Sequence, residues 1–192
     1  LFKQDEDASV VDAAFQFLRA LGPKAEVELL DALSAAAAEH RRGAALSLGM
    51  MKSARAAERL DALEPEEADA DVKETFFGVL LSLGKPAEPA LIKRLDSPDE
   101  ARRTRSYGGL KESKSPEVLE AVGKLFPREG SKDCVDFAFE ILRAAGAAAE
   151  PHFLAGLKSV QERGREKAVD GLRHLKAAGA GAWWAPGAAV PA

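Results

Sequence analysis

The chain is poor in the residues that usually advertise chemistry. Its 192 residues hold one cysteine, Cys134, so no internal disulfide and no cysteine-based metal cluster can form. A lone cysteine fits a reducing compartment, and the expected location is cytoplasmic. The histidines His40, His152 and His174 stand at no metal-ligand spacing and belong to no HExxH motif. Aromatic residues make up only 6% and do not interleave with basic ones, unlike the stacking platforms of single-strand binders. There is no basic excess either. Lys plus Arg is 27 against 31 Asp plus Glu, a net charge of −4 that argues against a nucleic-acid partner. No apolar run approaches the roughly 20 residues that span a bilayer. Glycine-rich phosphate loops, GxSxG and Ser/His/Asp arrangements are missing too. The expectation is therefore a chain with no catalytic, cofactor-binding or metal site and no enzymatic activity of its own.

What the chain has is repetition. Shifted by 62 residues, and by 62 again, it aligns on itself without a gap. Phe15, Phe77 and Phe139 fall in one column; Leu18, Leu80 and Leu142 in another. Gly22, Gly84 and Gly146 follow, then Ala25, Ala87, Ala149 and Glu26, Glu88, Glu150. Leu33, Leu95, Leu157, then Arg41, Arg103, Arg165, then Leu48, Leu110, Leu172 complete the register. Cys134 shares a column with Val10 and Val72, so it reads as a small buried apolar residue.

Each long unit divides into two shorter ones of unequal length. Phe77, Leu80 and Leu81 lie at the i, i+3, i+4 spacing of one helix face. The glycines come just past these helices, where a C′ residue takes positive φ without a Cβ penalty. Pro89 and Pro151 fall in the first turn of the next helix, where proline is tolerated. Each short unit is thus a helical hairpin. First helices are predicted at about 8–20, 39–48, 70–82, 100–110, 132–144 and 162–175, within roughly 2–4 residues. Second helices are predicted at about 24–34, 53–63, 87–95, 116–125 and 150–160.

The segment Leu95-Asp96-Ser97-Pro98-Asp99-Glu100-Ala101-Arg102-Arg103, followed by Gly109-Leu110 and Ser115-Pro116-Glu117-Val118-Leu119, resembles a HEAT-like repeat of the phycobilisome-lyase type. Residues 70–73 and 83–91 resemble it again. The resemblance covers nearly the whole chain. It implies a right-handed α-superhelix, about six HEAT-like hairpins arranged as three 62-residue double units, with second helices lining a concave face that binds other proteins. Relatives of that kind handle bilin chromophores, and a related HEAT-like group repairs alkylated DNA.

On this basis residues 1–176 are expected to form one repeat domain and residues 177–192 a degenerate C-terminal cap or tail. Leu1 has the phase of Leu63 and Leu125, which close second helices, so the array is expected to continue upstream. The arginine column could clamp a phosphate or tie repeats together. The structural reading is preferred, with Asp12, Glu74 and Asp136 or backbone carbonyls as partners. Glu26, Glu88 and Glu150 should face the positive ends of second helices. Phe15, Phe77 and Phe139 should be core residues, and Trp184 should help a short or irregular segment close the last hairpin. The expected function is a non-enzymatic scaffold for a protein partner. Candidate contacts are Arg55, Arg59, Lys93, Arg94, Glu120 and Lys124 on the second helices. A chromophore-lyase-type adaptor is the alternative, and an alkylated-DNA glycosylase the more distant one.

Overall fold

The computed structural model describes residues 8–183, the last five in backbone only. Leu1 and Phe2, which carry the expectation of an upstream hairpin, and Trp184 lie outside the described residues. Every regular element among them is helical: α1 (Ala8–Leu21), α2 (Glu26–Ala32), α3 (Ala38–Met50), α4 (Ala54–Leu63), α5 (Ala70–Leu83), α6 (Glu88–Arg94), α7 (Glu100–Leu110), α8 (Pro116–Leu125), α9 (Lys132–Ala144), α10 (Glu150–Gly156) and α11 (Glu162–Trp183). The fold is all-α, built of consecutive helical hairpins.

The turns follow from the glycine column. Gly22, Gly84 and Gly146 take φ of 60°, 71° and 62°, and each leads into a short 3₁₀ turn. Helices α2, α6 and α10 have seven residues each: the turn takes Lys24 and Ala25 from the helix predicted over 24–34 and Ala87 from that over 87–95, whereas α10 starts at Glu150 as expected and ends early at Gly156. Side-chain caps set the starts of α4, α5, α7 and α9. Asp69 accepts from the backbone N–H of Asp71 and Val72, and Asp99 from those of Ala101 and Arg102. The other difference lies at the C-terminal end. Helix α11 runs on through Gly179 and Gly181 to Trp183, where the low helix propensity of glycine predicts a short or irregular segment.

Two compact units divide the chain, Leu1–Leu91 and Ile92–Ala192. In the first, α3 packs against α1, α2 and α5, and α4 against α5. Phe15, Leu29, Leu48, Leu60, Phe76, Phe77 and Leu80 fill its core. In the second, α9 packs against α7, α8 and α11, and α10 against α11. Tyr107, Leu110, Val122, Phe126, Leu142 and Phe153 are fully buried there. Phe126 meets Phe153 edge-on at 6.2 Å between ring centroids, and Phe139 lies 5.9 Å from the same ring. Lys167 rests over the Phe139 ring at 4.6 Å. No described helix is long and apolar enough to cross a membrane.

Candidate functional surfaces

The arginine column builds one joint three times. Arg41 Nη1 donates to the carbonyls of Ala35 and Ala36, Arg103 Nη1 to those of Ser97 and Pro98, and Arg165 Nη1 to those of Ser159 and Val160. Each guanidinium thus closes the loop that precedes its own helix. The carboxylate partners are not the ones the phase suggested. Arg41 makes a bidentate pair with Glu67, at 2.7 and 2.8 Å, and Arg103 reaches Glu129 at 3.3 Å. Glu67 and Glu129 stand one period apart, and each also accepts the N–H two residues on, from Asp69 and Ser131. At the third position of this column stands Pro191. Asp136 instead pairs with Arg163 and Lys167.

Electrostatics follow this geometry. Arg41's hydrogen bond holds the Glu67 carboxyl below its ordinary value, and the same bond raises the Arg41 guanidinium. Burial pulls the Arg103 guanidinium down, but Glu129 and Cys134 together outweigh it and the net shift is upward. Tyr107, fully buried and 3.5 Å from Glu129, is pushed strongly upward by desolvation and stays neutral. A polar recess of about 220 Å³ opens beside this joint, reaching Asp96, Ser97, Arg128 and Gly130.

On the second helices of the first unit, Arg55 and Arg59 lie one turn apart on α4. With Glu58, Ala62 and Leu30 of α2 they line an open groove of about 410 Å³. Arg55 is 62% exposed and pairs with Glu26 at 3.3 Å; Arg59 donates to Ser34 at 3.1 Å. Glu26 also accepts from Ser53, the N-cap of α4, at 2.6 Å. In the second unit Glu120 and Lys124 form an exposed pair on α8 at 3.1 Å, and His152 of α10 comes within 3.8 Å of Glu120. Of the remaining candidates Lys93 is exposed, but Arg94 is only 7% exposed. Arg94 ends the short helix α6 just before the buried Leu95, so its side chain is not on display for a partner. His152 escapes a reading by repeat columns, because Glu28 and Ala90 stand in its column, whereas Glu58 shares a column with Glu120 and Leu30 with Ile92 and Leu154. Glu67 and Glu129 share a 62-residue column but were passed over in favour of Asp12, Glu74 and Asp136. Glu26, Glu88 and Glu150 begin α2, α6 and α10. Among the described residues no group of three or more His, Cys, Asp or Glu side chains is placed to hold a metal ion.

Neither a protein-family model nor a curated protein matches the chain. Among solved structures it is similar to the complex of CpcE and CpcF of phycocyanin lyase from Nostoc sp. PCC7120, with a TM-score of 0.51 and 22% identity. The match covers 79% of this chain and 65% of that one, so this chain spans just under two thirds of its length. The two share the HEAT-like helical fold. The expectation of a chain outside enzymology is corrected by this likeness, because the structure that shares the fold is a lyase complex.

Proposed function

We propose that the chain is an adaptor subunit of a lyase-type assembly, holding a protein partner and an open-chain tetrapyrrole for attachment. The fold it shares with the phycocyanin lyase complex, over 79% of its length, carries this reading. The groove between α2 and α4 suits the role. It offers an apolar floor from Leu30 and Ala62, with two guanidinium groups, Arg55 and Arg59, at its edge. Tetrapyrrole propionates are anions, and arginine presents the donor fork that carboxylates accept. Glu26 and Ser34, which hold the two arginines in the resting chain, are partners a bound carboxylate would displace.

An absorbance titration with a free bilin tests the proposal. Saturable spectral change is expected, weakened at least tenfold when Arg55→Ala and Arg59→Ala are combined. A flat titration, both alone and with a phycobiliprotein acceptor present, would remove the chromophore from the account.

A further inference from the structure

A second groove of the first unit, about 420 Å³, runs between α3 and α5. Leu46 and Met50 border it from α3 at i and i+4, and they are 47% and 70% exposed. Gly49 and Val79 lie buried beneath them. At the C-terminal ends of the two helices, Lys52 Nζ donates to the Ser82 carbonyl at 2.6 Å. The two glycines of this groove differ. A Cβ on Gly49 would stand 3.0 Å from Val79, so the packing of α3 on α5 demands a small residue there. A Cβ on Gly78 would meet nothing within 4 Å. Nothing in the described chain calls for glycine at that place in the middle of α5, where it disfavours the helix.

The 62-residue columns supply a control. In the corresponding groove between α7 and α9, Leu46, Gly49, Met50 and Gly78 give way to Gly108, Lys111, Glu112 and Glu140. Gly108, Lys111 and Glu112 are exposed, and Glu140 pairs with Arg143 at 2.7 Å. The chain's own helices leave that groove in water, and its side chains are polar accordingly. The α3–α5 groove also lies between two adjacent helices, with α1 and α2 packed on α3 as well. Its openness therefore does not come from a missing neighbour in the array. Its apolar lining is the departure.

We infer that the α3–α5 groove receives an amphipathic helix of a different protein, with apolar side chains over Gly78 and a carboxylate on Lys52. Charge complementarity selects the acid. Lys52 is exposed and pairs with no carboxylate among the described residues. Length selects about two helical turns, since the walls run about 10 Å at 1.5 Å per residue. An apolar groove of that size reads a helix through anchors at i, i+4 and i+7. A small ligand is a poor occupant, because the groove is open and would leave much of it, and Met50, in water. So is the same face of a second copy, whose lining holds no carboxylate to answer Lys52. The inference stands apart from the chromophore reading and from the α2–α4 groove.

A displayed library of helical peptides about 16 residues long, enough for a helix to form, is selected on the wild-type chain. It is counter-selected on Gly78→Glu, which installs the residue of the sister column. The most enriched peptide, labelled with fluorescein, is then titrated by anisotropy. Expected is saturable binding by a peptide with two apolar anchors and an acid one to two turns away. Affinity should fall at least tenfold with Gly78→Glu and with Lys52→Gln, and stay unchanged with Lys132→Ala on α9. Gly78→Glu should melt no lower than the wild type by circular dichroism, so that lost docking is not lost folding. No enriched peptide, an enriched peptide without a carboxylate, or binding indifferent to either groove variant overturns the proposal. So does a dimer seen by light scattering and abolished by Gly78→Glu, which would assign the groove to a second copy. Peptide binding that is lost in the product of the complete coding sequence would assign it to another segment of the same chain, and overturns the proposal as well.

Discussion

Arg41 and Glu67 show how a few side chains set the loop geometry of the array. Their side chains are 16% and 7% exposed, so the pair is sheltered from the solvent screening that makes surface ion pairs weak. The Glu67→Gln substitution keeps the shape and removes the charge. It is expected to lower unfolding stability by about 1–3 kcal/mol, the range for hydrogen bonds to charged groups. The carboxyl's folded pKa is depressed below 4.5 by the Arg41 hydrogen bond. Its stabilisation is therefore full above the unfolded value and is lost as pH falls through the folded one. Denaturant midpoints measured from pH 6 downward should drop less steeply in Glu67→Gln than in the wild type; equal slopes would show that the pair does not couple to folding. Gly43 supplies a second residue-scale test. A Cβ there would overlap the Phe15 ring, so Gly43→Ala should destabilise by about 1–3 kcal/mol despite its better helix propensity. Phe77, 2% exposed, should lose about 3–5 kcal/mol as Phe77→Ala. Chemical denaturation checks both.

At the scale of the element, helix starts were easier to read than helix ends. Ser53 and Ser131 cap α4 and α9, accepting from the N–H groups of Ala56 and Cys134 while donating to Glu26 and Glu100. Ser115 also stands at a helix start, but its hydroxyl donates to Glu117 and makes no cap bond. Ser53→Ala and Ser131→Ala should therefore each cost about 1 kcal/mol, and Ser115→Ala clearly less. Urea titrations of the three variants would show the order; equal losses would mean that the side-chain caps contribute nothing particular.

The same scale explains what the sequence made legible. Periodic leucines and phenylalanines place the first helices to within a few residues, because burial on one face demands that spacing. The glycine column locates the turns, because positive φ demands glycine. The later starts of α2 and α6 were not legible, since a 3₁₀ turn and a first α-helical turn have similar composition, and neither was the early end of α10 at Gly156. Nor was the run of α11 to Trp183, where local propensity pointed the other way. Arg41 and Arg103 were legible as residues of one kind, but their partners were assigned by phase on the helix, whereas the chain brings them together across 26 residues. Arg94 was misplaced on the display surface because a charged residue in a helix is exposed by default; the solvent face of α6 carries Pro89 and Lys93, and Arg94 lies on the buried side with Leu91.

For the molecule as a whole, stability and recognition draw on the same surfaces. Within each unit the hairpins bury one face against each other, and second-helix side chains such as Arg55, Lys93 and Lys124 reach the surface. Under the proposed adaptor role the working residues are ordinary arginines, glutamates and leucines, which form no catalytic motif. The account's central claim is that this chain works in a complex with another protein. Native mass spectrometry of the protein isolated gently from its own source tests that claim most directly. The account predicts a discrete complex of this chain with a different polypeptide at fixed stoichiometry, and cross-links from that polypeptide to the α2–α4 groove. A chain recovered at its monomer mass alone, with that groove equally open to labelling before and after purification, would contradict it.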